Sequence, residues 1–198
     1  MINIDKMFIC RIGWMEKYQG VEGNIAGDAK ALEEKAWGYD LYNFQPYKGT
    51  MYGYVQPPQK NQEWFKPQIK LENLGGHAHR DEVKDIFIVW VAKDPSTDAL
   101  KIVGYYKNAT VLRRIDRLVH LDRFYPDKVK QTYRMRALEA DCRLLTLEER
   151  VGSPAMPKTN SKDFGMGQGQ YVFSTPENKK LRENIMEFLN PFLEVVAE

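Results

Sequence analysis

With two cysteines and three histidines in 198 residues, the chain has little material for the commonest catalytic and metal-binding sites. Cys10 and Cys142 stand in separate apolar-patterned segments without metal-type spacing, so buried free thiols in a reducing compartment are expected. The longest uninterrupted apolar run, residues 86 to 92, is far too short to span a bilayer. The opening M-I-N-I-D-K-M-F-I-C lacks the basic start, apolar stretch and small-residue cleavage site of a signal peptide. A cytoplasmic protein without a membrane partner is the expectation. No G-x-S-x-G elbow, phosphate-binding P-loop or paired Cys-His nucleophile occurs. The G-M-G-Q-G-Q string around Gly167 lacks the preceding strand and the spacing of a dinucleotide fingerprint. Nothing in the chain implies a cofactor.

Strong net charge is missing as well, at +2, so the distribution of charge carries more information than the total. Residues 1–60 hold seven basic and seven acidic side chains, which cancel. Residues 113–143 hold nine basic against five acidic, a local excess of four. That stretch fits a phosphate-facing surface, and it equally fits an ordinary solvated face.

What the chain does have is a concentration of aromatic residues. Residues 37–54 read W-G-Y-D-L-Y-N-F-Q-P-Y-K-G-T-M-Y-G-Y, with seven aromatics in eighteen positions against 12% overall. They are mixed with Asp40, Asn43, Gln45 and glycines rather than with Leu, Ile and Val. Flat rings beside amide side chains suit a site that stacks on a planar ligand and hydrogen-bonds its edge. The alternative, tyrosines lining a small β-barrel with their hydroxyls at the surface, covers some of the same residues.

Local patterns predict the elements. M-F-I-C-R-I-G-W reads as a first strand ending at a Gly-Trp corner, and residues 28–36 as a helix behind Asp28. P-Y-K-G-T followed by M-Y-G-Y-V-Q predicts a hairpin whose second arm is interrupted at Gly53. D-I-F-I-V-W-V-A, K-D-P-S-T-D and A-L-K-I-V-G-Y-Y-K-N form a β-hairpin signature. One or two strands are expected between Tyr133 and Leu145, and a long loop over 151–170. A final helix is predicted from Thr175 and Pro176, with Leu181, Ile185, Phe188, Leu189 and Phe192 on one face.

Among candidate sites, G-G-H-A-H-R-D-E offers an H-x-H pair, His77 and His79, with Asp81 and Glu82 beside it. A small metal-dependent hydrolase is one reading of it; an exposed flexible loop is the other. Glu33-Glu34-Lys35 resembles a nuclease fragment but lacks the Pro-Asp strand ahead of it. The binding reading assigns base contacts to Trp14, Trp37, Tyr42, Asn43, Phe44, Tyr52, Tyr54 and Asn108. It assigns phosphate contacts to Lys107, Arg113, Arg114 and Gln168, the Gln168 amide also being able to read a base edge. For each of these residues plain packing or solvation is the competing role.

In order along residues 7–173, six blocks carry a family resemblance: R-I-G-W, Y-N-F-Q-P-Y-K-G-T-M-Y-G-Y-V, I-F-I-V-W-V-A, I-V-G-Y-Y-K-N-A-T-V, C-R-L-L-T-L-E-E-R and G-M-G-Q-G-Q-Y-V-F. The series resembles an N-terminal module of bacterial HNH-type and related restriction endonucleases, and the hairpin resembles that of the PUA-like superfamily (EVE, YTH and ASCH domains). The resemblance implies an α+β fold: a small PUA-like β-barrel with flanking helices and a C-terminal helix. It divides the chain into a base-recognition domain, 1–174, and a helix, 175–198, packed on the barrel or leading to another domain. It further implies a non-catalytic reader of a flipped, modified (methylated) base in double-stranded DNA, as in modification-dependent restriction. A nuclease domain, covalently or non-covalently linked, is then a second partner. An RNA-binding module of the PUA or YTH kind is the alternative. The HNH motif itself is absent, so cleavage does not carry over.

Overall fold

Buried side chains alternate along the first strand, β1 (Met7–Ile12), because successive residues of a strand point to opposite faces. Phe8, Cys10 and Ile12 belong to one apolar cluster, and Met7 and Ile9 to another. This alternation on both faces makes the sheet the middle layer of the molecule. The structure is a computed structural model that describes residues 2–20, 38–56, 68–154, 156 and 170–193. The sequence-predicted helix 28–36, most of the predicted loop 151–170, Trp37 and Gln168 lie outside these residues.

The remaining strands are β2 (Thr50–Gly53), β3 (Glu82–Lys93), β4 (Leu100–Arg117), β5 (Thr132–Leu138), β6 (Cys142–Leu144) and β7 (Tyr171–Phe173). They form one mixed sheet in the order β2-β5-β4-β3-β1-β7, with β6 also on β4. β1 runs parallel to β3, with Cys10 opposite Trp90, and the other pairs are antiparallel. The fold is α+β. Among the described residues β2 and β7 end the strand order without pairing, so the sheet is curved but not closed into a barrel.

β4 explains much of the curvature. Its first half pairs with β6 at Gly104–Tyr106, and its second half pairs with β5 from Thr110 onward. Between these stretches stands Asn108, with φ of 49°, facing a register shift in β3 around the left-handed Asp85. Asn and Asp tolerate this backbone region better than other side chains with a Cβ, and bulges bend and twist the strand that carries them.

One face of the sheet holds Trp90, Tyr106, Phe8, Phe44 and Met135, all at most 1% exposed. Gly53 is required there, since a Cβ would lie 2.7 Å from the Trp90 ring and 3.1 Å from that of Tyr106. The other face holds Phe87, Val89, Val91 and Tyr105, covered by a helix, α2 (Lys179–Leu193), through Ile185 and Leu189. This helix starts later than the sequence predicts. Asn178, not Thr175, precedes it, and its Oδ1 accepts the Thr175 N–H at 3.0 Å. The shorter α1 (Leu147–Val151) is fixed by a capping box between Thr146 and Glu149. Both cysteines are free, Cys10 buried and Cys142 partly so. No helix among the described residues is long and apolar enough to cross a membrane.

Candidate functional site

The sequence predicts one aromatic slot between residues 37 and 54, and the structure divides that segment. Only its ends line a cavity. A cavity of about 490 Å³ lies where β1 ends, walled by Arg11–Gly13, Gly38–Asp40, Tyr54–Gln56 and Gln170. That is within the range of about 300–1,000 Å³ typical of small-ligand sites.

The predicted contacts fall as follows. Tyr54 lines the cavity. Asn43, 1% exposed, instead braces it: its Nδ2 donates to the Tyr54 carbonyl at 3.0 Å and its Oδ1 accepts the Tyr54 N–H at 2.9 Å. Phe44 packs edge-on against Tyr106 in the core, with ring centroids 5.5 Å apart. Tyr42 is buried and donates its hydroxyl proton to the Phe124 carbonyl at 2.8 Å. Tyr52 lies against Tyr133, and Asn108 is an exposed bend residue whose Nδ2 donates to Asp141. Trp14 is half-buried under the Arg150 guanidinium, outside the cavity wall. The segment has no contiguous apolar stripe, so its rings are recruited singly to seal a turn. That is why most of them lose access to a ligand.

The predicted phosphate contacts divide too. Lys107 pairs with Asp141 at 3.8 Å. Arg113 grips Glu72 and the carbonyls of His77 and Arg80, tying down the loop that follows. Arg114 is exposed, as are Arg117 and Lys128 in the same β4–β5 hairpin. His77 and His79 are exposed with rings stacked 5.9 Å apart, and no group of three or more potential metal ligands occurs among the described residues.

Asp40 is the chemical centre of the cavity wall, and it is 6% exposed. Its Oδ2 accepts the Gly13 N–H at 2.6 Å, which pins the Gly-Trp corner to the turn. The Tyr18 hydroxyl donates to the Gly13 carbonyl at 2.6 Å and fixes the corner from its other side. Residue 38 must be glycine, since a Cβ there would stand 2.1 Å from Asp40 Oδ1. Burial pushes the Asp40 carboxyl up to about 6 from 3.8, against the lowering effect of the Gly13 bond.

Two rings flank it. Tyr39 is half-buried, T-shaped against Tyr54 at 5.5 Å and against Tyr125 at 4.8 Å. Its hydroxyl donates to Asp127 at 3.1 Å, and burial followed by that carboxylate raises it to about 12. Tyr54 donates to Gln56 Oε1 at 2.6 Å. The Gln56 Nε2 is then left buried without an acceptor. Beneath Tyr54, 5.8 Å from its ring centroid, lies Arg134. Its side chain is 0% exposed and none of its three nitrogens makes a hydrogen bond. The Tyr54 hydroxyl is near enough to influence the guanidinium, but burial prevails and lowers its proton affinity.

Comparison with protein-family models, curated proteins and solved structures found no match.

The site is therefore read from its own geometry. It combines an accessible ring, a buried carboxylate, an unpaired amide donor and a buried cation. Asp40 and Tyr39 stand inside the aromatic segment, where an acid among glycines and tyrosines is a usable signal. Arg134 is signalled only by a charge inside the otherwise half-apolar strand T-Y-R-M-R-A-L. Gln56 and Gln170 give no local signal, because they acquire meaning only when distant segments meet.

Proposed function

We propose that the protein is a non-catalytic reader that takes a single extruded base, in a modified form, from double-stranded DNA into this cavity. The observation that carries the reading is the Asp40 carboxylate in the same wall as Tyr39 and Gln56, in a cavity with room for a base. Stacking on an aromatic ring of the wall, Tyr54 or the half-buried Tyr39, supplies roughly 1–3 kcal/mol. Extruding a base costs a few kcal/mol, so hydrogen bonds to the wall must supply the balance. A charge-assisted bond to a desolvated carboxylate is suited to that, being about twice as strong as a neutral one.

The surroundings support a duplex partner. The β4–β5 hairpin packs directly on the cavity wall: Asp127 meets Tyr39, the Tyr125 hydroxyl donates to the Tyr39 carbonyl, and Arg123 donates to the Gln45 carbonyl. The same hairpin exposes Arg114, Arg117 and Lys128, with Val119 and Phe124 standing 58% and 46% exposed between them. Cations beside apolar tips match a phosphate backbone next to a disturbed base stack. The order of sequence blocks further supports kinship with the reader modules of HNH-type restriction endonucleases, the open sheet then being a variant of the PUA-like barrel that this resemblance implies.

The test is a fluorescence binding screen against matched DNA duplexes with unmodified and modified cytosine or adenine, repeated with RNA. Salt-sensitive binding to modified duplexes is expected, weakened at least tenfold by Asp40→Ala. A strong preference for RNA, or Asp40→Ala binding as well as the parent, overturns the proposal.

A further inference from the structure

Three arginines are buried in this protein, and two of them explain themselves. Arg150, 1% exposed, donates to the carbonyls of Leu145, Met15 and Glu16. Arg182, 3% exposed, donates to Ile4, Asp5, Thr175 and Asn178. Both are braces between distant segments. Arg134 is more deeply buried than either, and none of its nitrogens has a well-formed hydrogen bond, the Tyr54 hydroxyl being its one close polar influence of that kind. Its one aromatic partner is Tyr54, the ring that forms part of the cavity wall. An uncompensated buried charge is costly and gives nothing to packing that an apolar side chain would not give.

Resting on the base-reader function above, we propose that Arg134 is a specificity-determining residue, whose charge behind Tyr54 restricts the cavity to neutral heterocycles that present an N–H donor beside an acceptor. The hydrogen-bonding half of the argument comes from the wall. An ionised Asp40 can only accept, so the occupant's edge must offer it an N–H. Gln56 Nε2 has a proton and no acceptor, because its own oxygen is taken by Tyr54, so the same edge must also offer an acceptor. Cytosine and adenine carry an amino group next to a ring nitrogen. Thymine and uracil offer the same pairing through a ring N–H beside a carbonyl, so the hydrogen bonds set the edge and the charge sets the choice.

The charge half comes from Arg134. A carboxylate between tyrosine rings would by itself attract a cation, such as a base alkylated on a ring nitrogen or a quaternary ammonium. A full positive charge one ring's thickness behind that wall opposes it, and in a water-poor interior the opposition is far stronger than at the surface. Arg11, at the cavity mouth, has the same sign. The occupant is therefore neutral.

The test uses fluorescence anisotropy with one labelled duplex carrying cytosine, adenine, thymine, 3-methylcytosine or 1-methyladenine opposite an abasic site, the last two being cations. Cytosine, adenine and thymine are each expected to bind at least tenfold more tightly than either cationic base. Arg134→Met should raise affinity for the cationic bases at least tenfold relative to that for cytosine. Arg134→Lys should keep the wild-type ranking, a readout that a purely structural role would not move. Equal affinity for all five duplexes overturns this inference and leaves the reader function standing. No binding to any duplex by protein with a cooperative unfolding transition removes both. If Arg134→Met does not fold, wild type preferring a cationic base, or Arg134→Lys losing the ranking, still overturns the inference.

Discussion

Asp40→Asn isolates the carboxylate on which the cavity is built. Asp40 is 6% exposed, and burial raises its carboxyl from 3.8 to about 6 in the folded chain. A shift of this size, about two pH units at about 1.4 kcal/mol each, corresponds to about 3 kcal/mol. Below about pH 4 the group is protonated in both folded and unfolded chains, and no penalty applies. Between about pH 4 and 6 the unfolded chain releases its proton while the folded chain keeps it, so stability falls as pH rises. Above about pH 6 both are ionised and the full penalty stands. Asparagine keeps an oxygen that can accept the Gly13 N–H but carries no charge. The bond it makes is weaker than the charge-assisted one, which subtracts from the gain.

The net expectation is a variant about 1–3 kcal/mol more stable than wild type at pH 8, with the gap closing as pH drops to 4. Urea unfolding followed by tryptophan fluorescence at successive pH values measures it, with the denaturant slope unchanged if the fold is unchanged. A gap that stays constant from pH 4 to 8 would refute the reasoning. So would a wild type that gains on the variant as pH rises, since that is the signature of a depressed carboxyl stabilised by partners. Binding should run the other way: an Asp40 that accepts from an amino group loses affinity as pH falls below about 6.

Asn43→Ala removes both side-chain bonds to the Tyr54 backbone and should cost about 2–4 kcal/mol in thermal or urea unfolding, with ligand affinity falling as well. Gly53→Ala forces a Cβ to within 2.7 Å of the fully buried Trp90 ring and should destabilise by about 1–3 kcal/mol, visible as altered tryptophan fluorescence. Arg134→Met, which replaces an unpaired buried charge by an apolar chain, should raise stability by about 1–4 kcal/mol, with a higher melting temperature as the readout. Arg117→Ala and Lys128→Ala should each reduce the slope of log affinity against log salt by about one, whereas Arg113→Ala should act on stability because that guanidinium is already engaged.

How much of this was legible in the sequence depended on whether the information was local. The β3–β4 hairpin was legible because two β-branched, aromatic runs flank a Pro-Asp-Ser turn, and Trp90 was readable as core from the run that holds it. The terminal helix was legible from its apolar spacing, although Asn178 displaced Thr175 at its start. Partnering was not local. Residues 47–50 do form a tight turn, with paired bonds between Tyr47 and Thr50, but the arm before it is a series of turns. β2 therefore pairs with β5, more than eighty residues away. No pattern within 37–54 distinguishes a ring that lines a cavity from one that seals a turn. That distinction is made by Gly104, Phe124 and Arg134, whose positions depend on the bend in β4 and the hairpin beyond it.

The same dependence separates structural from functional polarity. Several buried polar side chains that brace the fold are well bonded: Asn43 on Tyr54, Tyr18 on Gly13, Arg150 and Arg182 on carbonyls. Single atoms of Gln45, Trp90, Thr132 and Thr175 lack partners elsewhere, but three whole groups at or behind the cavity wall are left short. Asp40 is held short of its preferred ionisation, Gln56 keeps an unused proton, and Arg134 has no partner. Each of these costs stability that a volume-matched apolar or neutral residue would restore. Three such costs converging on Tyr54 and its neighbours have a common explanation in an occupant that supplies the missing donor and acceptor. Stabilisation by Asp40→Asn and Arg134→Met, each with altered binding, would be the joint signature of that occupant.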